Sequence, residues 1–132
     1  MKKKIIIFGV GGTCLDIVEI ILRNNKLSNN QYEFIGFLDD NKDKIGKYFL
    51  DYPVLGNIEK ANYFLNDPSI FFINGIGSSK SYRIRKKIFD KLKISLDRYI
   101  SLIDPNAVIS NFSKIGYGSI IFPNSVIGVN VI

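Results

Sequence analysis

The sequence predicts an α/β protein: a small parallel sheet with helices on its faces, followed by the start of a parallel β-helix. Three observations carry this prediction. Apolar runs that read as strands alternate with helical stretches as far as residue 104. The first of these runs enters a glycine turn, "GVGG", at residues 9–12. From Ile103 onward an aliphatic residue returns every sixth position, at Ile103, Ile109, Ile115, Ile121 and Ile127.

Taken in order, "KKIIIFGVGG" is a buried strand ending in the glycine turn. The basic start resembles a signal peptide, but its apolar run, Ile5 to Phe8, is cut short by the glycines. Residues 15–27 carry Leu15, Val18, Ile21 and Leu22 at helical spacing. Residues 32–40, "YEFIGFLDD", read as a second strand closed by two aspartates. A polar connection follows, with a short extended piece at Pro53–Leu55. Residues 57–65 suit a short helix with Asn57 as N-cap. Residues 69–77, "SIFFINGIG", form a third strand ending in glycines, and residues 79–93 a basic amphipathic helix with Tyr82, Ile84, Ile88, Phe89 and Leu92 as its apolar positions. Residues 98–104 are expected to be a fourth strand. Such alternation implies a parallel sheet with right-handed crossovers.

Near residue 102 the pattern changes, and no helix follows. A period of six belongs to a parallel β-helix, in which three sixes make a coil of roughly 18 residues. The leading aliphatic is expected to point inward and to stack on its equivalent in the next coil. Small residues at the fifth position, Ala107, Ser113, Ser119 and Ser125, suit the tight interior, and Gly116, Gly118 and Gly128 suit corners. Residues 1–102 and 103–132 are therefore expected as two units packed directly on each other. The last rung would expose an apolar end at Ile121, Val126, Ile127, Val131 and Ile132, which association with other chains would cover.

Composition narrows the chemistry. The chain of 132 residues contains no histidine, so a Ser-His-Asp or Cys-His site cannot be built from it. Zinc sites mostly need clusters of His or Cys, and neither exists here. The single cysteine, Cys14, excludes an internal disulfide and fits a reducing cytoplasm. No apolar run approaches the ~18 residues of a membrane span. The net charge of +6 concentrates in Lys2–Lys4 and Arg83–Lys93. It reads as a solvated helix face and terminus, or as a site for an anionic ligand such as a nucleotide. The basic residues lack the interleaved aromatic platform that nucleic acid would need.

In wound parallel sheets ligands bind at the carboxyl ends of the strands. Three loops leave those ends here: Gly9–Thr13, Asp39–Asn41 and Gly75–Ser79. Gly9, Gly11 and Gly12 allow close approach of a ligand, and the start of the following helix attracts phosphate. The dinucleotide fingerprint G-x-G-x-x-G wants a third glycine where Cys14 stands. That cysteine is either a nucleophile at a helix N-terminus or a small residue filling the helix–sheet contact. Asp39 and Asp40 can accept hydrogen bonds from a ribose or a base, serve as acids or a metal pair, or simply open a turn. Ser78 and Ser79 can cap the helix, and Arg85 could reach a diphosphate.

The pieces "IIIFGVGG", "IGFLDD", "YPVLG", "FFINGIG", "RIRKKI" and "LIDPNAVIS", in that order and spacing, resemble one known family. These are the bacterial nucleotide-sugar acyltransferases of the UDP-4-amino-sugar N-acetyltransferase and sialic acid O-acetyltransferase type. The resemblance spans essentially the whole chain. It implies a small Rossmann-like parallel sheet followed by the start of a left-handed parallel β-helix. It also implies that Gly9, Gly11, Gly12, Thr13, Asp39, Asp40, Gly77 and Ser78 hold a UDP- or dTDP-sugar. Several relatives carry a histidine near Thr13, where this chain has none. The family's coils trimerise, bind acetyl-CoA, and use a histidine in later coils as general base. The resemblance therefore implies the N-terminal part of such an enzyme, with no catalytic residue and no metal of its own. Two rival readings stand beside it: a fragment of an NAD-binding oxidoreductase, and a non-catalytic nucleotide-binding or assembly domain.

Overall fold

A computed structural model describes residues 2–29, 31–76 and 82–129. Strands β1 (Lys3–Phe8), β2 (Tyr32–Leu38), β4 (Tyr52–Gly56) and β5 (Ile70–Asn74) are parallel. The short β3 (Tyr48–Phe49) pairs antiparallel with β4 at the edge, giving the order β3-β4-β2-β1-β5. Helices α1 (Gly12–Leu27), α2 (Ala61–Phe64) and α3 (Tyr82–Leu92) connect them. This is an α/β fold with a predominantly parallel sheet, as expected.

The core follows from β1. Ile5 to Phe8 are all fully buried because the central strand is covered on both faces. Ile5 and Ile7 join Val18 and Ile21 of α1 on one side, while Ile6 and Phe8 join Ile58, Leu92 and Ile94 on the other. On α1 the buried stripe runs through Cys14, Ile17, Val18, Ile20 and Ile21, whereas the expected apolar position Leu22 is exposed.

Four expectations need correction. The fourth strand does not form as one piece. Tyr99 makes a single parallel bridge to Phe72, and the chain then leaves the sheet. The short helix begins as a 3₁₀ turn (Ile58–Lys60), and the Asn57 side chain does not cap it. Asp40 does so instead, its Oδ1 accepting the Ile58 N–H at 2.9 Å. On α3, Ile84 is 52% exposed and Phe89 is also exposed, so the helix docks mainly through Ile88 and Leu92. Residues 79–81, expected in that helix, lie outside the described residues.

After Tyr99 the chain pairs with itself at a fixed offset. β6 (Leu102–Ile103) pairs in parallel with β8 (Ile120–Ile121), and β7 (Val108–Ile109) with β9 (Val126–Ile127). Leu102 faces Ile120 and Ile109 faces Ile127, both eighteen residues on. Ile109, Ile115, Ile121 and Ile127 are half-buried, while the neighbouring Val108 and Val126 are exposed. Ile103 departs from the expected inward set and is 38% exposed. At this rung Leu102 turns into the sheet's core instead, and Ile120 and Phe122 pack against the same cluster. Val131 and Ile132 lie outside the described residues.

The two parts are also joined by polar contacts. Asp104 is fully buried, and its Oδ2 accepts the Arg23 Nε–H at 2.6 Å, while its Oδ1 accepts the Asn106 N–H. One residue along α1, Asn24 Nδ2 donates to the Ile103 carbonyl at 3.0 Å.

Candidate functional site at the switch point of the sheet

In the strand order, β2 and β4 lie to one side of β1 and β5 to the other. The direction of winding therefore reverses between β1 and β5, which is where open α/β sheets form a crevice at the carboxyl edge. The glycine turn leaves β1 there, and Asn74 and Gly75 leave β5.

The glycines of the turn do different work. Gly9 has φ +95°, and an added Cβ would lie 2.9 Å from Ile76 Cγ1 and 3.1 Å from Cys14 Sγ. It is held by backbone shape and by packing. Gly11 and Gly12 would meet nothing within 4 Å, so no contact among the described residues explains them. Gly11 is the N-cap of α1, without a side-chain cap and with no acidic residue in the first turn. The helix thus offers backbone N–H donors to the crevice.

Cys14 fills the helix–sheet contact. It is 1% exposed, and its thiol faces the carbonyls of Gly75 and Phe8 at 3.3 and 3.6 Å. Burial pushes its pKa up to about 11, the opposite of an activated nucleophile. Where the dinucleotide fingerprint uses a glycine to bring helix and strand together, this chain places cysteine and moves the glycine across the contact. A Cβ on Gly75 would stand 2.6 Å from Cys14 Sγ and 3.1 Å from the Phe8 carbonyl.

Asp39 is half-buried at the end of β2, next to Leu38, whose carbonyl accepts the Gly9 N–H at 2.8 Å and so brings it beside the glycine turn. Its Oδ1 accepts the Asn41 N–H at 2.8 Å, so it opens a turn as well. Asp40 is turned away toward Ile58 as the cap already described. Gly77 and Ser78, expected in the third loop, lie outside the described residues. Among the described residues no group of three His, Cys, Asp or Glu is placed to hold a metal ion, and no described helix is long and apolar enough to cross a membrane.

A cleft of about 520 Å³ opens at this point, lined by Thr13, Asn74, Gly75 and Arg85 on one side and by Tyr117 to Ile120 and Phe122 on the other. Sequence reasoning missed the second wall. It follows from the eighteen-residue pairing, which returns the chain to the sheet's carboxyl edge.

These features define a small Rossmann-like domain whose glycine turn opens at the switch point of a parallel sheet. The chain belongs to the PglD N-terminal domain family, whose profile matches residues 4–92. Among curated proteins, no sequence matches it. In fold it is similar to a variant of perosamine N-acetyltransferase from Caulobacter crescentus, solved with CoA and GDP-perosamine. That likeness has a TM-score of 0.73 at 22% identity and covers 96% of this chain and 54% of that one. It is also similar to the acetyltransferase domain of PglB from Neisseria gonorrhoeae, solved with acetyl coenzyme A, at TM-score 0.66 and 24% identity, covering 96% and 56%. The chain spans about half the length of these structures.

Proposed function

We propose that this chain is the nucleotide-sugar-holding part of an acetyl-CoA-dependent acyltransferase. Its substrate is a UDP- or dTDP-linked amino sugar, or sialic acid, used in bacterial surface-glycan synthesis. The observation that carries this reading is the meeting, at one crevice, of the uncapped start of α1, the Asp39 carboxylate and the cleft beside Thr13. Family membership and the acetyltransferases of similar fold support it.

In this reading Gly11, Gly12 and Thr13 present backbone N–H groups to the diphosphate, with Gly9 shaping the turn. Asp39 keeps one carboxylate oxygen for a ribose hydroxyl or a base N–H, Asp40 stands next to it, and Gly77 and Ser78 supply the third loop. Residues 1–102 are the nucleotide-sugar domain. Residues 103–132 are the first coils of a left-handed β-helix, a reading supported by the eighteen-residue offset. The assembly is a cytoplasmic trimer, and acetyl-CoA is its co-substrate. Acyl transfer requires a base to take a proton from the attacking amine or hydroxyl as the thioester breaks. The chain holds no histidine for that step, so by itself it binds substrate without transferring acetyl.

Calorimetric titration with UDP-, dTDP- and GDP-sugars and with NAD tests the first half. Sugar-nucleotide binding is expected, and preferential NAD binding would refute it. Coenzyme A release from acetyl-CoA in the presence of a 4-amino-sugar nucleotide tests the second, and turnover by this chain is the refuting result.

A further inference from the structure

We infer that the outer face of α3 is a docking surface for a bilayer carrying anionic headgroups. The inference draws on charge and exposure and stands apart from the nucleotide-sugar reading. Residues 83–93 hold six basic side chains and one acidic, whereas the rest of the chain holds twelve and eleven. Five of the six excess positive charges therefore sit on one stretch of roughly 15 Å.

The helix sorts these groups by face. Ile88 and Leu92 dock it on the sheet. Arg83, Lys86, Lys87 and Asp90 follow the i, i+3, i+4, i+7 spacing of one stripe on the other side, and all four are exposed. Lys93, also exposed, follows the last turn. Arg85 lines the cleft at Thr13 instead and is not part of this face. Lys86, Lys87 and Lys93 enter no ion pair among the described residues, whereas Lys4, Arg23 and Lys91 each meet a carboxylate. Arg83 and Lys87, like charges four apart, disfavour the helix on its own. An anionic surface turns that repulsion into attraction.

A protein partner fits this face poorly. Interface cores are depleted in lysine and rest on buried aromatic or aliphatic anchors. Phe89 is turned to Tyr99, with ring centroids 5.4 Å apart, and the stripe itself holds no aromatic residue. A nucleic acid strand finds no stacking platform there for the same reason. A charged bilayer needs neither. Long lysine stems reach headgroups in many geometries, and each basic residue near the surface adds a similar increment. Ile84, 52% exposed and three residues before Lys87, supplies a shallow apolar contact at the edge of the stripe.

Co-sedimentation of the whole chain with vesicles tests this. One set is phosphatidylglycerol and phosphatidylcholine in equal parts, the other phosphatidylcholine alone, each at about 50 and about 300 mM salt. Binding is expected to the anionic vesicles, to fall with salt, and to be absent on the neutral ones. The triple variant Lys86→Gln, Lys87→Gln, Lys93→Gln should lose about fivefold per lysine, roughly a hundredfold in all. Its sites are exposed, so it is expected to fold, and circular dichroism checks that. A control triple at exposed lysines elsewhere, Lys26→Gln, Lys42→Gln, Lys47→Gln, removes the same charge and should stay within about threefold. No binding to anionic vesicles at the lower salt, or equal binding to neutral ones, would overturn the inference. So would equal losses in the two triples, which would assign the effect to net charge, or displacement from vesicles by an equal phosphate concentration of duplex DNA. Nucleotide-sugar titration is read separately, and none of these results bears on it.

Discussion

Replacing Arg23 by Met removes the partner of a carboxylate that has no solvent exposure. Asp104 accepts Arg23 Nε–H on one oxygen and the Asn106 N–H on the other. After the change only the second contact remains. Removing one member of a buried pair costs about 3–5 kcal/mol, because the charge left behind is neither hydrated nor paired. Arg23 keeps 34% of its side chain exposed, so solvent screens its end of the pair. That screening brings the cost to or below the bottom of the range, and we expect a loss of about 2–3 kcal/mol. For 132 residues an unfolding entropy of about 2.1 cal/mol/K per residue gives a fall in Tm of roughly 7–11 °C. Urea unfolding followed by circular dichroism measures the free energy, and calorimetry measures Tm. The double variant Arg23→Met, Asp104→Leu removes the stranded charge and should recover about 1–2 kcal/mol of that loss as coupling between the sites. A loss below about 1 kcal/mol in the single variant, with no coupling, would refute the buried-pair argument.

Three further outcomes are expected. Gly75→Ala should destabilise by about 1–3 kcal/mol, since its Cβ lands 2.6 Å from Cys14 Sγ; adding Cys14→Gly should restore part of the loss in urea unfolding. The Cys14 thiol, held up to about 11 by burial, favours its neutral form in the fold. Its contribution is complete below the unfolded value near 9.0 and is lost as pH rises toward 11, so urea midpoints should fall across that window and Cys14→Ala should flatten the fall. Gly12→Ala meets no atom within 4 Å and should leave stability unchanged or slightly raised, yet weaken nucleotide binding by titration if the start of α1 holds the diphosphate.

The sheet was legible because its signals are local. Ile5 to Phe8 form an unbroken apolar run, which is what a central strand covered on both faces requires, and a glycine turn punctuates it. The eighteen-residue offset between paired segments was legible because the aliphatic signal repeats every six residues. The failures lie where tertiary contacts override local pattern. Asn57 has the composition of an N-cap, but Asp40, brought close by the β2–β4 pairing, reaches the same N–H. Residues 98–104 read as one strand, but Tyr99 and Leu102 answer to different partners, Phe72 and Ile120. Cys14 looked like a broken fingerprint, since nothing local reveals that Gly75, sixty-one residues on, yields the space. The second wall of the cleft was hidden for the same reason. Tyr117 carries no motif, and the eighteen-residue pairing brings its segment opposite Arg85.

Helix α1 connects these observations mechanically. Its first turn forms one side of the crevice, and Arg23 and Asn24 near its other end grip residues 103–104 of the coil. The eleven steps from Gly12 to Arg23 span roughly 16 Å of helix axis. The same C-terminal segment passes back to line the cleft through Tyr117 to Ile120 and Phe122. Both walls of the groove are therefore fixed to one rigid strut, the first directly and the second through a buried ion pair at its far end. The ion pair at the far end adds to the apolar contacts that Ile120 and Phe122 make with the core at the near end. Loosening the far end should widen the near end. Arg23→Met, which touches no part of the crevice, should then weaken nucleotide-sugar binding even at temperatures where the variant is fully folded. If its affinity equals that of the unaltered chain under those conditions, the C-terminal segment is positioned by the apolar contacts of Ile120 and Phe122 with the core alone, and the strut carries no part of the site's geometry.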